Sequence, residues 1–330
     1  RRKTFDLNNI KSLVLDEADE MLDLGFKQDL DIIVNQSPKD KRILMFSATI
    51  PKKILSLASK YQKDAVRIEA TSLGKAHTDI SYETYMIKRY DIENAIFNFL
   101  RFHDDKTIII FCSTRNAVTH ISSRLLNRGF SVVSLSGALN QSERFKALQS
   151  IKNGRCKICV ATDVAARGID LVNLDIVIHA ELPQNSEILI HRSGRTGRAG
   201  NKGRSILFCS PGERRRYERL VHSAKVKPVI NKFLSQQEIQ RKDNEKIINY
   251  LTKSQKKSTG ELKFAKKLLT QFSSEDIAIA LIENFKGKLP PIEEVESFDE
   301  EKVNQMTSDR KKKKRGEKRK RGPFSKKKQK

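Results

Sequence analysis

The chain has 330 residues, with 65 Lys and Arg against 40 Asp and Glu, a formal charge of +25 and 38% hydrophobic residues. Its length suits about two domains of ~100–200 residues, and a hydrophobic share below the ~45–50% of an average globular chain predicts that part of it is solvated tail. No apolar run approaches the ~20 residues of a membrane span, no leader-like stretch follows residue 1, and four cysteines are too few for a disulfide scaffold. Membrane, collagen-like, coiled-coil and disulfide-stapled classes are excluded, which leaves a protein of a reducing, cytoplasmic compartment with a polyanionic partner.

In chain order, KSLVL (11–15), RILMFS (42–47) and AVRIEA (65–70) read as the three strands of a first, incomplete sheet. The softer stretch from Thr71 to Thr78 (TSLGKAHT) is the best linker. ISYETYMI (80–87), TIIIFC (107–112), SVVSLS (131–136), KICVAT (157–162), DIVIHA (175–180) and SILFCS (205–210) follow as strands, with helical spacing over 89–102, 115–128 and 140–152 between them. Buried apolar strands joined by helices predict parallel sheets covered on both faces. Cys156 and Cys159 form a CxxC beside and within KICVAT, and positions three apart on a strand point to opposite faces, so the pair reads as packing rather than a metal or redox site.

After about residue 223 the strand signals stop. Residues 235–252 and 260–285 read as helices, the second with Ser273 or Ser274 as an N-cap before acidic first-turn residues, and LPPIEEV ends the ordered chain. This extension reads either as a plain helical appendage or as an oligomerisation surface. Residues 309–330 then hold 14 Lys and Arg against two acids. Such a segment is predicted to be disordered and suits a non-specific tether to a phosphate backbone, since each cation releases condensed counterions on binding.

Three clusters carry chemistry. Asp16-Glu17-Ala18-Asp19 directly follows the strand KSLVL, and carboxylates at the carboxyl end of a parallel strand face the crevice where α/β sheets bind ligands. One acid there can hold Mg²⁺ through water while the next orients or deprotonates an attacking water, as phosphoryl transfer requires. In HRSGRTGR (191–198), a helix would set His191, Arg195 and Arg198 at about 0°, 40° and 340°, one narrow stripe. Gly194 and Gly197 would each cost ~1 kcal/mol inside that helix, which points to close approach of another surface and to arginines that reach a triphosphate. ATDVAARGID (161–170) places Thr162 at a strand end and Arg167 and Asp170 in the following turn; a hydroxyl and free amides suit RNA phosphates, and an Asp acceptor suits a ribose hydroxyl. Ser47-Ala48-Thr49 after RILMF also ends a strand.

Taken together, DEAD, SAT, ARGxD and HRxGRxGR in this order and spacing resemble a DEAD-box ATP-dependent RNA helicase of superfamily 2, over roughly residues 1–222. The resemblance implies an α/β fold of tandem RecA-like parallel sheets, the first incomplete, with a helical C-terminal extension and a disordered basic tail. It divides the chain into the C-terminal part of RecA-like domain 1 (1–72), a linker (73–80), RecA-like domain 2 (81–222), the extension (223–308) and the tail (309–330). It implies ATP and Mg²⁺ as cofactors, Asp16 at the Mg²⁺ site, Glu17 as catalytic base, and Asp19 in contact with His191 across a cleft. Asp170 would hold the ATP ribose, Arg195 and Arg198 the γ-phosphate, and Arg167 the domain contact, while Ser47 and Thr49 couple hydrolysis to strand separation. Thr114 and Arg115 of IFCSTR, Gly137, Gln141 and Arg144 of the GxxxQxxR segment, and Thr162 match RNA-contacting positions.

Two departures stand out. Ala180 and Glu181 occupy positions where many members carry Tyr and Asp, as in a bacterial and organellar subgroup. No GxxxxGK[ST] phosphate loop occurs anywhere, so the sequence is expected to lack about one domain's worth of residues before residue 1 and not to hydrolyse ATP alone. The extension is similar to that of bacterial cold-shock and ribosome-assembly members, some of which dimerise through it, which implies ribosomal or RNP partners and a homodimer. The competing reading is a non-catalytic RNA-binding remnant; retention of Glu17, Arg195 and Arg198, which RNA binding alone does not need, favours the helicase. A DNA helicase fits the RNA-specific spelling less well.

Overall fold

The computed structural model describes residues 6–23, 25–47, 50, 52–68, 79–137, 139–166, 174–198, 200–253, 259–299 and 301–302. The linker stretch 71–78 and the basic tail lie outside them. Two compact units divide the chain, residues 1–72 and 73–330.

In the first unit β1 (Ser12–Leu15) pairs in parallel with β2 (Arg42–Met45), Leu15 opposite Met45. Around this pair run α1 (Ala18–Asp23), α2 (Lys27–Gln36) and α3 (Lys52–Tyr61). Alternation along β1 turns Leu13 and Leu15 toward a small core with Leu30, Leu57, Ile43 and Met45, while Val14 points the other way and is 54% exposed. The expected third strand is absent from 65–68. Lys63 and Asp64 form a bend, Asp64 at a φ of +50°, after which Val66 and Ile68 lie in solvent without a strand partner among the described residues. Alternating hydrophobicity alone does not make a strand.

The second unit is a parallel sheet built from β3 (Ile80–Ile87), β4 (Ile108–Cys112), β5 (Val132–Leu135), β6 (Ile158–Thr162), β7 (Ile176–His179) and β8 (Gly203–Cys209). The helices between them are α4 (Ile92–Phe102), α5 (Arg115–Asn127), α6 (Gln141–Lys152), α7 (Asp163–Ala166) and α8 (Ser186–Ser193), with α9 (Arg214–Ser223) after β8. β4, β6 and β7 are buried along their whole length, as strands of a sheet covered on both faces must be. One face packs Phe97, Phe99, Ile110 and Phe208, the other Phe111, Leu135 and Val177. Cys112, Cys156, Cys159 and Cys209 are free thiols buried in this core, in keeping with packing.

Strands do not stop at residue 223. β9 (Val229–Asn231) pairs in parallel with Glu83–Tyr85 of β3. Three helices follow, α10 (Gln236–Lys253), α11 (Thr259–Gln271) and α12 (Ser274–Lys286), the last capped by Ser273 in a reciprocal box with Asp276; the single helix expected over 260–285 is two. The chain then remains ordered past LPPIEEV. Asn98 clamps the Glu293 backbone, donating to its carbonyl at 2.8 Å and accepting from its amide at 2.9 Å. β10 (Ser297–Phe298) then runs antiparallel to Ile87 and Met86. The order is β10-β3-β8-β7-β4-β6-β5, with β9 also on β3, so the extension covers the β3 edge, a row of backbone groups that would otherwise be open.

A buried ion pair docks α10. Arg101 of α4 donates to Asp243 Oδ2 from Nε at 3.1 Å and from Nη2 at 2.7 Å, and Lys246 Nζ reaches Asp104 at 2.8 Å beside it. Removing one partner of such a pair leaves the other charged and dry. Asp243→Ala should therefore lower unfolding stability by about 3–5 kcal/mol, read by urea denaturation. A change within error would contradict the docking.

His179 is fully buried, its Nε2 3.1 Å from Ser205 Oγ, which is 2.8 Å from Ser193 Oγ. Burial, then the Arg192 charge, hold its pKa well below the ordinary value, about 6.5 for an exposed histidine. The unfolded chain takes up this proton first, so the stabilisation is complete above about pH 6.5 and is lost as pH falls below it. The melting temperature should drop between pH 7 and 5, and less steeply in His179→Gln. Equal slopes would contradict a neutral buried imidazole.

Candidate nucleic-acid and nucleotide site

In the first unit the acidic cluster sits at strand ends, as expected. Asp16 follows β1 and is exposed, and its Oδ1 accepts the Glu17 amide at 2.9 Å. Glu17 adopts a φ of +51°, a left-handed conformation that costs a non-glycine residue of the order of 1 kcal/mol or more. That turn lets Ala18 N donate to Phe46 O at 3.1 Å, while Phe46 N donates to Leu15 O at 2.8 Å. The start of α1, with the buried Asp19, is thereby tied to the end of β2, where Ser47 is half-buried. Thr49 lies outside the described residues. Among the described residues no group of three or more His, Cys, Asp or Glu could hold a metal ion.

In the second unit three adjacent strands deliver their carboxyl ends together. Phe111 and Leu135 both stand opposite Ala161, and Cys112 stands opposite Thr162. Thr114, two residues beyond β4, caps α5 by accepting the Ala117 amide at 3.1 Å. Arg115 opens that helix and lays its guanidinium over Gly137, beyond β5, where an added Cβ would sit 3.0 Å from Nη2. Gln141 and Arg144 occupy the first turn of α6, which Asn140 and Glu143 hold in a capping box. Thr162 Oγ1 accepts the Ala165 amide at 3.4 Å, and the residue is buried. Arg167 and Asp170 lie outside the described residues.

HRSGRTGR is not one helix. α8 ends at Ser193, Gly194 is its C-cap, and Gly197 turns at a φ of +68°, where a Cβ would meet Ile80 Cγ1 at 2.6 Å. The calculated stripe of His191, Arg195 and Arg198 therefore does not exist. Only His191 is helical, while Arg195 and Arg198 stand on a tight loop. That loop is fixed from below: Thr196 is buried and its hydroxyl donates to Asp175 O at 3.1 Å, and Arg198 Nε returns to Gly194 O at 2.8 Å. Gly197 serves a turn pressed against Ile80 of β3.

Sequence reading passed over Arg192. It is 3% exposed, donates Nε to Asp163 Oδ1 at 2.6 Å and Nη2 to Oδ2 at 2.7 Å, and lies 5.3 Å over the Phe111 ring. The pair ties the residue after Thr162 to the helix that launches Arg195 and Arg198. Its partners are 29 positions apart, and only their membership of two different motifs hints at it. Asp163→Ala should lower the stability of the second unit by about 3–5 kcal/mol, the cost of leaving the buried Arg192 charge unpaired, with Asp163→Asn intermediate in thermal melting. An unaltered Asp163→Ala melt would contradict the clamp.

The comparisons agree on one lineage. Residues 1–57 match the DEAD/DEAH box helicase family and residues 91–200 the helicase conserved C-terminal domain. The chain is 35% identical over 295 residues to the ATP-dependent RNA helicase DeaD of Buchnera aphidicola subsp. Baizongia pistaciae, covering 89% of this chain and 45% of that protein. It is 35% identical over 212 residues to the ATP-dependent RNA helicase DbpA of Bacillus subtilis, covering 64% of this chain and 44% of that one. The chain thus spans less than half the length of these curated relatives. Among solved structures it is similar to S. cerevisiae Dbp5 bound to RNA and ADP BeF3, with a TM-score of 0.65 at 28% identity over 73% of this chain and 64% of that one. With its motifs on the strand ends of RecA-like folds and family matches in each unit, the chain belongs to the DEAD-box RNA helicase family.

Proposed function

We propose that the protein is an ATP-dependent RNA helicase that binds single-stranded RNA through its sugar-phosphate backbone and locally unwinds duplexes or remodels RNPs. The observation that carries this reading is the convergence of Thr114, Arg115 over Gly137, and Thr162 on three adjacent strand ends. Hydroxyls, amides at helix starts and a guanidinium suit phosphate oxygens and ribose without reading bases, so sequence preference is low. Gln141 and Arg144 extend that row.

ATP would supply the phosphoryl group. For it, Asp16 would hold Mg²⁺ through water, Glu17 would take the proton of the attacking water, and Arg195 and Arg198 would neutralise charge on the γ-phosphate, a contribution of ~10³–10⁵ in rate for such arginines. Asp170 would hold the ribose, Arg167, Asp19 and His191 would support closure, and Ser47 and Thr49 would couple turnover to RNA. The 330-residue chain contains no GxxxxGK[ST] segment, so by itself it binds RNA without appreciable ATP turnover.

Domain roles follow the sequence division, with RecA-like domain 2 at 81–222 and the extension at 223–308. Exposed Ile248 and Leu251 on α10, Phe264 on α11 and Ile279 on α12 support a homodimer through the extension, and the cationic tail supports ribosomal or other RNP partners in the cytoplasm. Among the described residues no helix is long and apolar enough to cross a membrane.

Fluorescence anisotropy of the purified chain on a single-stranded RNA tests the reading. Binding should weaken with salt, and Arg115→Ala should lower the log–log salt slope by about 0.7, the share of one phosphate contact. An absence of RNA binding, or an Arg115→Ala variant indistinguishable in slope, would overturn the RNA assignment.

A further inference from the structure

At the carboxyl end of the second unit's sheet lies a cleft of about 580 Å³ that none of the roles above uses. It opens where β4 and β7 lie side by side. From β4 the chain continues to β5 and β6 on one side of the sheet, and from β7 to β8 on the other. Such a reversal of strand order is the place where open α/β sheets bind ligands.

The floor of the cleft is apolar: Ile96, Ile121, Leu182 and Phe208 line it and are buried. Its rim is polar. Arg89 and Tyr90 come from the turn after β3, Arg216 from α9, and Glu181 and Gln184 from the loop after β7. Tyr90 is 87% exposed, a large ring left in water beside an apolar floor. Arg216 is held in place, its Nη2 donating to Leu182 O at 3.0 Å and Pro183 O at 3.2 Å. The remaining acids are engaged: Glu93 is 2.9 Å from His120 Nε2 and 2.6 Å from Arg124 Nε, and Glu213 accepts from Ser210 Oγ at 2.7 Å.

Each part matches one part of a nucleotide. An aromatic ring over an apolar floor stacks a base of any identity. Guanidinium groups on the rim suit a phosphate, and the Glu181 carboxylate accepts from an exocyclic amine or a ribose 2′-hydroxyl. The cleft is also continuous with the strand-end row, because Ser113 on its rim immediately precedes Thr114 and Arg115.

We propose that this cleft is a second RNA subsite, which takes one or two unstacked nucleotides of the same single strand beyond those at Thr114 and Arg115. It rests on the RNA reading above and extends the path of the strand from the β4 end across to the β7 and β3 ends.

Tyr90→Ala and Arg89→Glu, both on the exposed rim, test it in the full 330-residue chain, with uridine 6-mers and 12-mers in anisotropy. Both variants keep the basic tail, so the tail cancels in the comparison. The 12-mer should bind about fivefold or more weakly to Tyr90→Ala, the range expected for one lost base stack, and more weakly to Arg89→Glu through the reversed charge beside the strand, while the 6-mer binds as to the wild type. A 4-thiouridine in the flanking half of the 12-mer should crosslink at residues 89–93. Wild-type affinity of both variants for the 12-mer, or crosslinks confined to 309–330, would overturn the subsite while leaving the RNA reading in place. Failure of the wild-type chain to bind either oligomer would remove the RNA reading and the subsite with it.

Discussion

Asp163 sits one residue past Thr162 at the end of β6, Arg192 lies in the last turn of α8, and the bidentate bond between them closes the second unit's upper face. At 3% exposure the Arg192 guanidinium depends on Asp163 to match its charge through Nε and Nη2, while its Nη1 is buried without a hydrogen-bond partner. Phe111 beneath the guanidinium extends the constraint to β4, the strand that leads to Thr114 and Arg115. The proposed RNA row and the arginine loop therefore share one anchor. Coupling between two ligand sites needs an element that both can bias, and this pair is a direct contact between the segment after β6 and the helix that precedes the arginine loop.

A second constraint concerns the sheet edge. β3 is the edge strand of the second unit, and β9 and β10 cover it from a part of the chain far along in sequence. Asn98 gripping the Glu293 backbone and the Arg101–Asp243 pair hold that cover in place through α4. The extension is thus part of the unit's fold as well as a candidate surface for partners. The first unit contrasts with it: a two-stranded parallel sheet has one face on a small core and leaves Val14 and Phe46 open on the other.

Where local chemistry decides, the sequence was a good guide. TIIIFC, KICVAT and DIVIHA are dense in β-branched residues and form the central strands, and Ser273 caps its helix as its side chain allows. The strand-end positions of Asp16, Thr114 and Thr162 followed from placing motifs after those runs. Reasoning by helical period failed at HRSGRTGR because it presumes that the helix continues, whereas it ends at Gly194 and Gly197 makes a turn against Ile80 of β3 that sequence alone does not show. AVRIEA alternates like a strand but has no described neighbour to pair with. The two-residue β10 lies in an acidic stretch of low strand propensity, and only its register on β3 reveals it. Arg192–Asp163 and Arg101–Asp243 join positions 29 and 142 apart, a distance at which a single sequence carries no pairing signal.

Amide hydrogen exchange of the full chain with and without a single-stranded RNA 12-mer tests the central claim most directly, because it locates the bound strand without presupposing turnover. RNA should slow exchange at 113–118, 139–145 and 162–166, the strand ends and helix starts that carry Thr114, Gln141 and Thr162, and leave the β3 edge under β9 and β10 unchanged. Binding with no added protection at those three segments would contradict the assignment of the RNA path to the carboxyl ends of β4, β5 and β6.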